Sequence, residues 1–152
     1  MKTYIGIDLG GTNVRVAKVT EFGEVLSQVK GPSYGMEGPT KVMSNLKEMV
    51  REIPGWKDCS AIGVGVPGPV DKKSGSMVLS TNLKGFTGYP FADELSKEFG
   101  MPAFVDNDAN VAGLAEALVG AGKDKSVVYY VTISTGSGGA LIVDGKTVCG
   151  KH

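Results

Sequence analysis

A chain of 152 residues, 41% hydrophobic and 21% charged, has the make-up of a folded domain rather than of a disordered segment. Sixteen acidic residues cancel sixteen basic ones, which removes any electrostatic ground for a nucleic acid or an anionic membrane as partner. Cys59 and Cys149 form neither a metal-type pair nor a disulfide framework, and no leader or long apolar span is visible, so the expected compartment is the reducing cytoplasm.

Residues 4–9 read as a strand with apolar residues on both faces, hence central. The strand carries Asp8 near its end and runs into Gly10, Gly11, Thr12 and Asn13. Gly-rich turns let backbone N–H groups approach a phosphate, and a carboxylate beside them can meet the metal that phosphates bring. The turn joins strand to strand and lacks a Gly-Lys-Ser/Thr ending, so it is neither a Walker loop nor a dinucleotide turn. The same residues also suit a plain β-hairpin, and this segment alone supports both readings.

Residues 14–19 and 24–29 read as two more strands, joined by a turn at 21–23, which makes an antiparallel meander. A helix follows from Pro39, with Val42, Leu46, Met49, Val50 and Ile53 on one face, and Pro54-Gly55 ends it. Trp56 is expected to pack under a loop. Residues 61–66 form a fourth strand, 67–71 a rigid loop, 72–75 a polar turn and 77–79 a short strand. The stretch from Gly63 to Asp71 can bring stiff backbone against a ligand, and equally makes a tight turn beside a buried strand. Ser80-Thr-Asn-Leu83 places two hydroxyls and an amide in a loop.

A second helix starts near Pro90, with Asp93 and Glu94 in its first turn and Phe91, Leu95 and Phe99 as its apolar face; Gly100 stops it. Residues 103–105 form a fifth strand. Asn107 or Asp108 caps a third helix, whose apolar face is Val111, Leu114, Ala115, Leu118 and Val119, and which ends at Gly120 and Gly122. One residue suffices for a cap, so Asp106, Asn107, Asp108 and Asn110 offer spare carboxylates and amides where a strand hands over to a helix, the place where α/β sheets gather ligands. A carboxylate there can act as general base toward a hydroxyl, with the amides fixing its orientation; a cap with flanking solvated side chains is the plainer alternative. Residues 126–133 form a sixth strand, 134–139 a second Gly-rich turn and 140–143 a returning strand that ends in the hairpin signal Asp144-Gly145. His152, the only histidine, is no candidate for catalysis, and both cysteines read as structural.

Three meander strands followed by helix–strand alternation describe an α/β domain with a mixed sheet and helices on its faces. No internal boundary is visible, so residues 1–152 read as a single domain. The two Gly-rich turns resemble each other, each following an apolar strand and leading into another.

In this order the segments resemble the ROK family of bacterial sugar kinases and sugar-responsive repressors. The family's phosphate loop stands as Asp8-Leu-Gly-Gly-Thr12, and its Gly-x-Pro-Gly-x-Val-Asp stretch as Gly65-Val-Pro-Gly-Pro-Val-Asp71. Its Asn-Leu pair before an aromatic is Asn82-Leu83 with Phe86. Its helix start is Val105-Asp-Asn-Asp-Ala-Asn-Val-Ala-Gly-Leu-Ala-Glu116, and its second phosphate turn Ser134-Thr-Gly-Ser-Gly-Gly139. The resemblance implies an actin-like, ribonuclease-H-type domain that binds ATP between two lobes. It makes Asp108 the base toward the sugar hydroxyl, and has Asn107, Gly68, Thr81 and Asn82 bind the sugar. Gly10, Gly11, Thr12, Asn13, Thr135 and Gly136 would cradle the ATP phosphates, and Asp8 would face Mg²⁺ through water.

Family kinases are considerably longer. They carry a later Gly-Glu-x-Gly-His sugar element, usually a Cys-rich zinc site, and the lobe that holds adenosine. No zinc site is expected within this chain. The chain therefore resembles the N-terminal lobe of a hexose kinase, glucose being the first substrate to consider. The C-terminal lobe or a partner chain would complete it, and a homodimer is compatible. The isolated chain is expected to be inactive. A sugar- or nucleotide-binding module without catalysis, or an inert fragment, is the alternative.

Overall fold

Alternation sets the first strand. In β1 (Thr3–Leu9) the side chains of Ile5, Ile7 and Leu9 are buried on one face, while Gly6 and Asp8 point to the other. β2 (Asn13–Thr20) pairs with β1, and β3 (Val25–Pro32) with β2, both antiparallel. The computed structural model describes residues 1–133 and 136–150, in two compact units, Met1–Asn107 and Asp108–His152.

In the first unit the meander leads to α1 (Pro39–Glu52), then β4 (Ile62–Val66), the two-residue strands β5 (Val70–Asp71) and β6 (Ser76–Met77), α2 (Phe91–Phe99) and β7 (Ala103–Asn107). β4 lies parallel to β1, and β7 parallel to β4, so the sheet order is β3-β2-β1-β4-β7. An antiparallel meander continued by parallel strands is the arrangement of an actin-like, ribonuclease-H-type domain. The inner face of the sheet packs with Val42, Met43, Leu46, Met49 and Val50 of α1 and with Phe91, Leu95 and Phe99 of α2 in one core. Trp56 sits edge-on to Phe99, with ring centroids 5.2 Å apart, as a packing residue.

Three stretches of this unit differ from the sequence reading by more than one residue. β3 runs on to Pro32, because its pairing with β2 continues to Asn13; an edge strand tolerates the proline. The expected loop and strand around residues 67–79 are instead a small hairpin, Val70↔Met77 and Asp71↔Ser76, beyond which Val78 and Leu79 are exposed. Asp71 closes its turn by accepting the Lys73 N–H at 2.9 Å and the Ser74 hydroxyl at 2.8 Å. The Ser74 hydroxyl and then the Lys73 amide hold the Asp71 carboxyl below its ordinary value. β7 extends two residues further than expected, since Gly65 and Val66 pair with Asp106 and Asn107.

The second unit has α3 (Asp108–Leu118), β8 (Val127–Ile133), β9 (Ser137–Val143) and β10 (Lys146–Thr147), in an antiparallel sheet of order β10-β9-β8. The expected apolar face of α3 is corrected. Val111, Ala115, Leu118 and Val119 are exposed, Leu114 alone of the expected face packs partly buried against the core, and the buried stripe is Ala109, Gly113 and Ala117. Small residues at a four-residue spacing let the helix lie close on its sheet. A Cβ on Gly113 would come within 2.9 Å of Ala140 Cβ and 3.0 Å of Tyr130 Cβ. The second Gly-rich turn is shorter than expected, because Gly138 and Gly139 already pair with Thr132 and Val131 as strand. Asp144 and Gly145, at φ 48° and 72°, make the anticipated β9–β10 hairpin turn. Among the described residues, no helix is long and apolar enough to cross a membrane.

Candidate functional site

The carboxyl ends of the parallel strands β1, β4 and β7 lie side by side, and each runs into a segment singled out from the sequence. After β1, the Gly10 N–H donates to the Asn13 carbonyl at 2.9 Å, and the Ser33 N–H to the Thr12 carbonyl at 2.8 Å. Neither Gly10 nor Gly11 uses left-handed backbone, which a two-residue Gly-Gly hairpin turn would require. Close approach explains Gly11 instead: a Cβ there would stand 3.1 Å from the Asn82 carbonyl oxygen and 3.3 Å from Asn82 Cβ. The Gly-rich loop and the Ser80–Leu83 segment are thus in contact.

Gly35 completes that contact. A Cβ on it would lie 2.5 Å from the Gly11 oxygen and 2.9 Å from the Asn82 oxygen, and its own carbonyl accepts the Lys84 N–H at 2.8 Å. Sequence reasoning missed Gly35, an isolated glycine in no motif. The Ser80 hydroxyl shapes the second loop by donating to the Leu83 carbonyl at 2.6 Å, while Leu83 and Phe86 are fully buried. With those anchors in the core, Thr81 and Asn82 are held in solvent.

After β4, Gly68 turns the chain at φ 104°, where a Cβ would stand 2.8 Å from the Leu79 carbonyl oxygen. Its carbonyl accepts the Asn107 side-chain amide at 3.0 Å, so the turn and the end of β7 are joined directly. Asp106 sits beside that bond, its Oδ1 accepting the Asn107 N–H at 2.7 Å and its Oδ2 2.6 Å from Lys72 Nζ. Across the sheet, Asp106 is level with Gly65, Gly65 with Asp8, and Asp8 with Arg15. Asp8 is exposed, with Arg15 as its cross-strand neighbour.

The first unit therefore brings Gly11 to Asn82 and Gly68 to Asn107, and lines up Asp8 with Asp106. Asp108 opens α3 in the second unit as an exposed carboxylate, with its Oδ1 accepting the Ala109 N–H at 2.8 Å. Gly136 directly precedes β9. Ser134 and Thr135 lie outside the described residues.

A family model described as ROK family matches residues 4–152. A glucokinase of Thermotoga maritima is 33% identical over 147 residues, covering 97% of this chain and 46% of that protein. A putative xylose repressor of Caldicellulosiruptor sp. is 31% identical over 144 residues, covering 91% of this chain and 36% of that one. The crystal structure of a ROK family glucokinase from Streptomyces griseus in complex with glucose and AMPPNP matches with a TM-score of 0.86 at 30% identity, over 98% of this chain and 47% of that one. The chain spans 46% of the glucokinase's length and 36% of the repressor's.

Proposed function

The chain belongs to the ROK family, and from that premise we propose that it is the N-terminal lobe of a sugar kinase that transfers the γ-phosphoryl group of ATP to a hexose hydroxyl, with glucose as the first substrate to test. One observation carries the reading: the Gly-rich loop after β1 and the polar loop at Asn82 approach so closely that a Cβ on Gly11 would stand 3.1 Å from the Asn82 carbonyl oxygen, which suits adjacent phosphate and sugar subsites. The glucokinase relatives support the reaction class, and the complex with glucose and AMPPNP supports ATP as donor.

In this reading Thr81, Asn82 and Asn107 hydrogen-bond the sugar hydroxyls, and the Gly68 turn fixes Asn107 by accepting its amide. Asp108 follows Asn107 in the chain and takes the proton of the attacking hydroxyl as the new oxygen–phosphorus bond forms. Backbone groups of Gly10, Gly11, Thr12 and Asn13, with Thr135 and Gly136, cradle the phosphates. The Gly10 N–H is already engaged by Asn13, so the residues after it carry more of that task. Asp8, one exposed carboxylate beside a phosphate loop, fits Mg²⁺, which usually keeps its waters and takes one or two carboxylates. When bound, Mg²⁺ supplies neutralisation of the phosphate charge. The remainder of a full-length protein, or a partner chain, would complete the adenosine and sugar sites, and a homodimer is compatible.

The test is glucose-dependent ADP release by the full-length protein, with N-acetylmannosamine and fructose as alternative acceptors. Asp108→Asn is expected to lower kcat by about 10²–10⁴-fold with little change in KM. Absence of release with every hexose would overturn the kinase reading. The repressor relative supports a second reading, a sugar-responsive binding module. That reading expects hexose binding without turnover, unaffected by Asp108→Asn.

A further inference from the structure

A closed circuit of contacts surrounds the end of β7. Lys72 Nζ stands 2.6 Å from Asp106 Oδ2, and Asp106 Oδ1 accepts the Asn107 N–H at 2.7 Å. The Asn107 amide donates to the Gly68 carbonyl at 3.0 Å, and residues 68–72 lead back to Lys72. Both ends of this strap are thus tied to consecutive residues of β7. The strap is stiff in itself. β5 pairs with β6, the Gly75 N–H donates to the Asp71 carbonyl at 2.9 Å, and the Asp71 carboxylate holds Lys73 and Ser74.

Stability does not account for the ion pair. The Lys72 side chain is 44% exposed, and a pair so open to water contributes little to folding. Its place in the sheet is more telling. Asp8, Gly65 and Asp106 are neighbours in one row across three strands, so their side-chain positions share a face. Gly65 puts no side chain between the two carboxylates, which two strand spacings separate by on the order of 10 Å. An unneutralised Asp106 on that row would repel an approaching phosphate.

We propose that Lys72 is a positioning residue for the phosphoryl transfer. It neutralises Asp106 and clamps the end of β7, so that Asn107 and the chain running on into Asp108 keep the geometry the sugar hydroxyl requires. The inference rests on the kinase reading above and assigns one of its residues a role.

The experiment is steady-state kinetics of the full-length protein with glucose and ATP, for wild type, Lys72→Met, Lys72→Arg, Asp106→Asn and the double variant Lys72→Met with Asp106→Asn. Lys72→Met is expected to lower kcat about 10- to 100-fold, the size of loss a small misplacement causes, while KM for glucose changes less than about threefold. Lys72→Arg should restore most of the rate, since the positive charge returns. The double variant should be faster than Lys72→Met alone, because the negative charge beside Asp8 is then absent. A kcat for Lys72→Met within about twofold of an active wild type overturns the inference and leaves the kinase reading standing. Equal losses in all four variants, matched by equal losses of thermal stability, also overturn it, since a merely structural role behaves so. A wild type without hexose-dependent ADP release overturns the kinase reading, and this inference with it.

Discussion

Gly35 occupies a point where two backbones leave no room for a side chain. A methyl group there would meet the Gly11 oxygen at 2.5 Å and the Asn82 oxygen at 2.9 Å, and carbonyl oxygens on anchored loops cannot swing away as a long side chain can. Gly35→Ala is therefore expected to cost about 1–3 kcal/mol, the usual range for overpacking. It should also raise KM for the hexose in the full-length protein, because Asn82 must shift. Urea melts and kinetics on the same variant check both effects; unchanged values in both would remove Gly35 from the site. At this scale legibility depended on locality. Asp8, Gly11, Asn107 and Asp108 stand in short runs whose chemistry can be read in place, beside the plainer turn and cap readings, whereas Asn82 stood out only through the family resemblance. Gly35 matters only through contacts with residues far along the chain, and a single glycine carries no sign of what it touches.

The helices show two kinds of packing. On α3 Gly113 faces Ala140, Ile142 and Tyr130, each within 3.0 Å of where a Cβ would be. Replacing it with alanine gains about 1 kcal/mol of helix propensity and incurs about 1–3 kcal/mol of overpacking. Net destabilisation of Gly113→Ala in thermal melts is the expected outcome, and stabilisation would show that the helix can move off its sheet freely. Between α1 and α2, Lys47 bonds Glu94 at 2.9 Å and lies 3.3 Å from Glu98; Arg51 pairs with Glu98, and the Tyr89 hydroxyl donates to Glu94. Burial pushes the Glu94 carboxyl up, but the bonds from Tyr89 and Lys47 outweigh it and leave it below its ordinary 4.5. The bond to Glu94 holds Lys47 above 10.5, and burial, followed by the hydrogen bond to Glu94, pushes Tyr89 up to about 12. A lowered carboxyl stabilises above its unfolded value and loses that contribution as pH falls through the folded one. Raised Lys47 and Tyr89 stabilise fully below their ordinary values and lose the contribution as pH rises toward about 12. The urea midpoint should therefore fall below about pH 5 and above about pH 10, and Tyr89→Phe should reduce the alkaline fall. An unaltered alkaline limb in that variant would assign the loss to other groups. α1 and α2 were legible because large apolar residues recur at helical spacing. The α3 face was misread because the residues that bury it are the small ones.

Over the whole chain, the second unit repeats the opening of the first: a strand, a Gly-rich connection, a returning strand and a third, in the orders β3-β2-β1 and β10-β9-β8. In the first unit β1 is flanked on its other side by β4. In the second, β8 is an edge strand of its sheet, and it exposes Val127, Tyr129, Val131 and Ile133 in alternation, Ile133 at 84%. Long apolar edge strands recruit other strands, and a net charge of zero does little to keep copies apart. The 152-residue chain alone is expected to self-associate, and Tyr129→Lys with Ile133→Lys to return it toward monomer; sedimentation velocity across a concentration series decides. What the sequence determined by itself was whatever rests on local order: strand alternation, helix spacing, turn residues, and motifs whose chemistry lies within a few positions. These sufficed for an α/β fold with a mixed sheet, while the roles of most candidate residues came from the resemblance of those motifs, taken together, to the ROK family. Only the tertiary structure decided that Gly11 meets Asn82 across Gly35, that Gly68 holds Asn107, that Lys72 reaches Asp106, and that α3 buries its smallest side chains. Those depend on which backbones come close in space, and distance in space is a property of the packed sheet and not of spacing along the chain.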